Sequence, residues 1–142
     1  MNSRPIESEI SRGDDALKSA RILLAEQMCL DAMSRVYYAV LHFARSVLLT
    51  IALEPKSHHG VFLLFNQHIV KTGKTDKLYS KILGNLMRMR EEADYITSTT
   101  FNVEDVAEAI AEAEQFRAMT MQLINPVQVE EVRNDNRSSN PV

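Results

Sequence analysis

Apolar residues recur at every third or fourth position through most of this chain, which is the spacing that places them on one face of an α-helix. No stretch shows the alternation with a period of two that marks a half-buried strand. The pattern predicts five helices, over roughly 6–27, 30–52, 57–70, 76–94 and 102–125. We therefore expect an all-α bundle around one core.

Capping residues mark the limits of the middle helices. Ser57 is suited to cap the third helix, and Thr75 or Asp76 the fourth, because short polar side chains accept hydrogen bonds from free backbone N–H groups. Gly73 is suited to end the third helix, since glycine readily adopts the left-handed conformation found after helix ends.

The two ends of the chain are less sharply defined. Gly13 weakens the first helix, which could instead begin near Asp14 with an aspartate as its cap. Asn125 and Pro126 are expected to end the fifth helix. We therefore expect a helical bundle over 1–125 and a flexible polar tail over 126–142. An apolar strip in the tail could instead dock on a partner or a second copy; it consists of Val127, Val129 and Val132.

The second predicted helix carries the residues of greatest chemical interest. Arg35 and His42 are separated by about two turns, so their side chains lie on nearly one stripe. Tyr37 and Tyr38 lie between them and point about 100° apart, so we expect one in the core and the other exposed. The apolar face beside this stripe comprises Leu30, Met33, Tyr37, Val40, Ala44, Val47 and Ile51.

Composition limits the class of protein. The 142 residues suffice for one domain with a sizeable core. A formal net charge of −3 argues against a general duplex-binding protein, so no DNA partner is expected. The single cysteine, Cys29, excludes an internal disulfide and a cysteine-based zinc site. No apolar run approaches the ~20 residues that cross a bilayer, and Met1–Ile10 does not resemble a signal peptide, so we expect a cytoplasmic protein without a membrane partner.

Basic residues surround the predicted start of the third helix. Lys56, His58 and His59 could contact an anion or a nucleotide there, because free backbone N–H groups point outward at a helix start. A capping or packing role for His58 is the alternative. His58, His59 and His68 are poorly placed to converge on one metal ion, since adjacent residues point in different directions. We therefore expect neither a metal nor a cofactor.

Structural roles also fit several of the polar residues. His42 could be a hydrogen-bonded core histidine, and Arg35 could pair with a nearby acid. Arg90 and Asp94, four residues apart, are expected to form an ion pair on the fourth helix, and Tyr95 is grouped with them as a structural residue. The acids within reach of Arg35 are Asp31, Glu92 and Asp94.

Four short motifs follow one another along these helices. They are Ser34-Arg35-x-Tyr37-Tyr38-Ala39-x-x-His42, Pro55-x-x-His58-x-Gly60-Val61, Arg90-x-x-Ala93-Asp94-Tyr95 and Ala113-x-x-Phe116. Together they resemble the HEPN domain, and in particular its small stand-alone bacterial and archaeal members. The resemblance covers roughly residues 10–124.

This resemblance implies an up-and-down bundle of four to five helices that forms a homodimer, often with a nucleotidyltransferase partner in a toxin–antitoxin pair. Many such proteins are metal-independent RNA endonucleases with an arginine and a histidine separated by four to six residues, a spacing that Arg35 and His42 fit. There the histidine moves the proton of the ribose 2′-hydroxyl and the arginine holds the phosphate. The resemblance thus makes Arg35 and His42 the catalytic candidates. The binding candidates are Tyr37, Tyr38, Lys56, His58 and His59.

Two features depart from the family pattern. Val36 follows Arg35 where a polar residue is usual, and the motif lies on the second helix and not on a later one. The Cα atoms of Arg35 and His42 are also expected ~10 Å apart along the helix axis. We therefore expect a composite site at a dimer interface, with Arg35 from one copy and His42 from the other.

The predicted function is accordingly a HEPN-type subunit of a toxin–antitoxin-like system that cleaves RNA. One alternative is a non-catalytic subunit that binds a nucleotidyltransferase or its nucleotide in a groove around Tyr38, His42 and His58. An exposed tyrosine could then accept a nucleotide from the partner. The other alternative is a helical dimerisation module whose motif residues are part of the core.

Overall fold

The structure is a computed structural model that describes residues 4–98 and 100–139, with residues 126–139 as backbone only. This part of the chain contains five α-helices and no strand, which confirms the predicted all-α, up-and-down bundle. The helices are α1 (Arg4–Ala25), α2 (Cys29–Leu49), α3 (His58–Phe65), α4 (Lys77–Tyr95) and α5 (Val103–Ser139). A π-helical segment, Asn66–Val70, continues α3. None of these helices is both long and apolar enough to cross a membrane.

Helix α2 lies at the centre of the bundle, and each of the other four helices packs against it. Apolar residues occupy most of its circumference, so burial is not restricted to one stripe. The predicted apolar face is buried from Met33 to Val47, and Ile51 is partly buried. The assignment of Leu30 to the core was wrong: its side chain is 47% exposed, because it lines an open cleft at the first turn of α2.

Helices α1 and α2 approach each other closely at Gly13. A Cβ atom at this position would lie 2.5 Å from Cε1 of Phe43, so the close approach requires glycine. Packing of the Phe43 ring against the glycine offsets the low helix propensity of that residue. Helix α1 therefore includes Gly13 and extends back to Arg4, so the alternative start near Asp14 was wrong.

The predicted capping residues define the ends of α3 and α4. The Ser57 hydroxyl oxygen accepts a 2.9 Å hydrogen bond from the backbone N–H of Gly60. Asp76, and not Thr75, caps α4, because its carboxylate accepts a 2.8 Å hydrogen bond from the backbone two residues on. Gly73 has a φ of 82°, which is the left-handed conformation predicted for it.

Helix α5 is longer than predicted. Asn102 and Asp105 cap its start reciprocally, with hydrogen bonds of 2.7 Å and 3.1 Å between side chains and backbone N–H groups. The backbone stays helical through Pro126 to Ser139, so the predicted end at Asn125 was wrong: proline removes one N–H donor, yet the helix continues past it. The side chains of the tail valines lie outside the described residues, and the boundary between bundle and tail stays a prediction.

Candidate functional site

Arg35 lies against the ring of Tyr38, one turn further along α2. The guanidinium carbon is 4.9 Å from the ring centroid, which is a cation–π contact. Within the described part of the chain Arg35 forms no ion pair, so the alternative pairing with a nearby acid is not seen there. No carboxylate of these residues therefore neutralises its charge.

Arg90 of α4 contacts the rings of both Tyr37 and Tyr38 on α2. Its guanidinium carbon lies 5.0 Å from the centroid of the Tyr38 ring and 5.3 Å from that of Tyr37. One of its guanidinium nitrogens also lies 3.6 Å from a carboxylate oxygen of Asp94, in the ion pair expected from the sequence. Tyr38 is thus contacted by two guanidinium groups, one from each helix.

His58, on the first turn of α3, completes this group of side chains. Its ring centroid is 5.6 Å from that of Tyr37 and 5.8 Å from that of Tyr38. We call the five residues the arginine–aromatic cluster: Arg35, Tyr37, Tyr38, His58 and Arg90. Burial lowers the pKa of His58 below its ordinary value, and the charges of Arg90, Arg45 and His42 lower it further. The imidazole is therefore mainly neutral at pH 7 and can accept a proton.

Tyr37 is the core member of the tyrosine pair. Its side chain is 1% exposed, whereas Tyr38 is half-buried. Burial raises the pKa of Tyr37 to about 12, so its hydroxyl stays protonated. Within the described part of the chain, neither this hydroxyl nor Nε of Arg45, both of them buried, has a hydrogen-bond partner. The buried Tyr37 ring packs against Arg90 and His58 and so helps to position them. It is not exposed to contact a ligand itself.

His42 is held by an acid from a different helix. Its Nδ1 atom lies 2.6 Å from Oε2 of Glu9 in α1, and the two side chains are 17% and 22% exposed. An ionised carboxylate can only accept hydrogen bonds, so this contact places a proton on Nδ1, and Nε2 is the nitrogen that stays available to exchange a proton with a ligand. His42 is also close enough to His58 for its charge to affect the pKa of that residue.

Besides His42 and Asp94, three predicted residues lie outside this cluster. Lys56 and His59 are exposed, and neither forms a hydrogen bond, ion pair or ring contact with a described residue. Tyr95, at the end of α4, is 85% exposed. The structure therefore brings together five residues of the predicted set, which are Arg35, Tyr37, Tyr38, His58 and Arg90.

Basic and acidic side chains surround the cluster, and some of the guanidinium groups have no ion pair with a carboxylate of the described residues. Arg35, Arg45 and Arg90 all lie near the two tyrosines or His58, while Glu9 and Asp94 are engaged with His42 and Arg90. Glu91 also acts on Tyr37, as the weakest of the charges that affect its pKa. Arginines arranged in this way favour a phosphate group, because guanidinium groups bind phosphate oxygens through paired hydrogen bonds.

Sequence reasoning missed two residues of the site. Arg45 lies seven residues after Tyr38, about two turns along the same helix, so helical spacing could have identified it. Glu9 lies 33 residues before His42 and meets it only because α1 packs against α2, so no local pattern points to it. Arg90 was expected to make only an ion pair, whereas it also contacts both tyrosine rings.

Comparison with known proteins gives one family and several small relatives. The family model described as the HEPN domain matches residues 6–124. The chain is 37% identical to "Putative toxin MJ0605" of Methanocaldococcus jannaschii, over 78% of this chain and 82% of the relative. It is 33% identical to a UPF0332 protein of Thermotoga maritima, over 74% and 80% of the two chains. A second M. jannaschii protein, "Putative toxin MJ0142", is 24% identical over 96% of this chain and 92% of its own length.

Proposed function

This chain belongs to the HEPN domain family, and on that basis we propose that it is a toxin-like subunit of a two-component system that cleaves RNA without a metal ion. Two relatives that carry the name of a toxin support the first part. The arginine–aromatic cluster, with two histidines within electrostatic reach of each other, supports the second.

Arginine provides the affinity for the substrate in this proposal. Arg35 and Arg90 stack on the faces of Tyr38, which orders two flexible side chains before a ligand arrives. Such preorganised cations favour the negative charge that develops on a phosphate during attack. Arg45 adds a third cation, whose charge acts on both Tyr37 and His58.

The two histidines provide the proton transfers. His58, neutral at pH 7, removes the proton from the ribose 2′-hydroxyl, whose oxygen then forms a bond to the adjacent phosphorus. The bond between phosphorus and the 5′-oxygen of the next nucleotide breaks, and Nε2 of protonated His42 gives its proton to that oxygen. The products are a 2′,3′-cyclic phosphate and a 5′-hydroxyl end. The proton taken up by His58 balances the one that His42 releases.

All of these groups come from one chain. The composite site predicted from the sequence, with Arg35 of one copy and His42 of a second, stays a prediction, as does the homodimer itself. The proposed chemistry does not depend on either of them.

RNA cleavage in the presence of EDTA tests the function directly. The wild type is expected to cleave, with 2′,3′-cyclic phosphate and 5′-hydroxyl ends identified by mass spectrometry. Loss of one general acid or base costs about a hundredfold to ten-thousandfold in rate, so His58→Ala and His42→Ala should be nearly inactive. His68→Ala is the matched control, because His68 lies beyond α3 on the π-helical segment and has no assigned role.

Circular dichroism has to show that each variant is folded. A wild-type protein that does not cleave RNA in EDTA would contradict the function, and equal losses in the His58 and His68 variants would contradict the site.

A second candidate function uses the same cluster without cleavage. Arg35, Arg90 and the half-buried Tyr38 would suit the phosphates of a nucleotide as well as those of RNA, which favours a subunit that binds a nucleotidyltransferase partner together with its nucleotide. Co-purification of a nucleotidyltransferase with an inactive wild-type protein would favour this candidate. Arg35→Ala should then weaken nucleotide binding.

A further inference from the structure

A cleft of about 140 Å³ opens next to the arginine–aromatic cluster, between the first turns of α2 and the end of α4. Met33, 2% exposed, forms its floor, and Leu30 and Phe101 form apolar walls. Arg90 belongs to both the cleft and the cluster. The cleft therefore offers apolar surface for a small planar group close to a site suited to a phosphate.

The other polar groups that line the cleft accept hydrogen bonds. Asp31 forms no hydrogen bond or ion pair with any described residue, so its carboxylate is available to a ligand. Asp94 lies 3.6 Å from Arg90, which leaves further acceptor capacity on its two oxygens. The Ser34 hydroxyl can accept or donate. A matching ligand must therefore present hydrogen-bond donors on the edge that enters the cleft.

We infer that this cleft binds a guanine base of the RNA substrate, an inference that rests on the proposed function. Guanine carries two neighbouring donors, N1–H and the N2 amino group, with no acceptor between them, and a carboxylate can accept from both. Adenine and cytosine place an acceptor nitrogen beside the amino group. Uracil has one N–H between two carbonyl oxygens, which would face the carboxylates.

The position of the cleft fits one nucleotide across both sites. Arg90 lines the cleft and also contacts the ring of Tyr38, on which Arg35 lies. A base in the cleft would therefore lie next to the arginines that hold the phosphate of the same nucleotide. The position of guanine in the RNA would thereby determine where the protein cleaves it.

Calorimetric titration in EDTA with the four ribonucleoside monophosphates, as 3′- and as 5′-phosphates, tests this inference without any cleavage. One bidentate contact to a base discriminates by roughly fivefold or more, so the guanosine form should bind at least about fivefold tighter than the adenosine form in one of the two series. Inorganic phosphate serves as the reference for the cluster alone.

Asp31→Asn tests the role of the carboxylate. Removal of a negative charge should strengthen binding of every nucleotide, so the ratio of guanosine to adenosine affinity is the informative quantity. This ratio should fall to about one, because the amide has one acceptor and would turn a donor towards guanine. Asp15→Asn is the matched control: Asp15 is an exposed acid on α1, and its replacement should leave the ratio unchanged.

The outcomes separate this inference from the proposed function. RNA cleavage by a wild type that binds all four monophosphates equally would overturn the guanine site and leave the function intact. Preference for guanosine without RNA cleavage would support the site and contradict the function. A ratio that stays high in Asp31→Asn, with the variant folded, would overturn the assignment of Asp31.

Discussion

The Nδ1 atom of His42 lies 2.6 Å from a carboxylate oxygen of Glu9, so a histidine of the central helix is oriented by an acid from the first helix. If His42 transfers a proton, Glu9 is a positioning residue: it fixes the tautomer and the direction of Nε2. Its own side chain does not need to touch the RNA.

Glu9→Gln should therefore reduce the cleavage rate by roughly tenfold to a hundredfold, the range expected when a reacting group is misplaced by about an ångström. The reduction should appear in kcat more than in KM, because phosphate binding by the arginines is unaffected. Glu7→Gln on the exposed side of the same helix turn is the control and should keep wild-type kinetics. Equal kinetics for the two variants would show that Glu9 does not position His42.

The lowered pKa of His58 predicts a pH dependence that can be read by NMR. His58 should titrate below its ordinary value of about 6.5, with burial as the main cause and Arg90 as the next. Arg90→Ala removes a neighbouring cation, so the pKa of His58 should rise. His68 in the same spectra serves as the internal reference, and an unshifted His58 in the variant would contradict the contact.

The same shift links His58 to stability. The His58 imidazole binds a proton less tightly in the folded state than in the unfolded state. Its contribution to the free energy of unfolding is therefore fully present above the unfolded pKa and is lost as the pH falls through the folded pKa. In denaturant titrations, the wild type should lose more stability than His58→Ala when the pH is lowered below about 6.5. Parallel curves for the two proteins would argue against a lowered pKa.

Removal of the buried hydroxyl of Tyr37 should not destabilise the protein, whereas most core substitutions do. Because it has no hydrogen-bond partner among the described residues, Tyr37→Phe should leave the free energy of unfolding unchanged or raise it by up to about 1 kcal/mol. Tyr37→Ala should lose about 3–5 kcal/mol through the cavity it creates. Chemical denaturation measures both, and a clear loss in the phenylalanine variant would reveal a partner for the hydroxyl.

Gly13→Ala should destabilise the protein although alanine is the better helix former. The added Cβ would lie 2.5 Å from the fully buried Phe43 ring, and overpacking of this kind costs about 1–3 kcal/mol against a propensity gain of about 1 kcal/mol. Gly84→Ala, where the nearest atom belongs to the half-buried ring of Phe62, is the comparison and should lose less. Phe43→Leu in the Gly13→Ala background should recover part of the loss.

Local signals in the sequence were enough to predict most of the fold. Ser57 and Asp76 cap helices through hydrogen bonds to backbone groups only two or three residues away, so the chain itself encodes these ends. Long-range packing explains one exception: Gly13 is tolerated inside α1 because Phe43 occupies the space beside it. The other exception is α5, which continues past Pro126 although proline disfavours a helix interior.

The candidate site was predicted only in part, for the same reason. Arg35, Tyr38 and His42 were recognised because they share one helix, and their spacing is a local property. The contacts of Glu9 and Arg90 depend on how α1 and α4 pack against α2, which spacing along the sequence does not contain.

Arg90 and Arg88 allow the most direct test of the proposed RNA-cleavage site. The two arginines lie two residues apart on α4, but Arg90 contacts both tyrosine rings whereas Arg88 is exposed and lies 3.9 Å from Glu92. The measurement is the initial rate of RNA cleavage in EDTA by the wild type, Arg90→Ala and Arg88→Ala, with circular dichroism as the check on folding.

Arg90→Ala should lose about a hundredfold to a thousandfold in rate, as expected when one group that stabilises the developing charge is removed. Arg88→Ala should stay within about twofold of the wild type, since it loses only an exposed ion pair. Equal rates for the two variants, or a wild type that does not cleave RNA without metal, would contradict a catalytic role for the arginine–aromatic cluster.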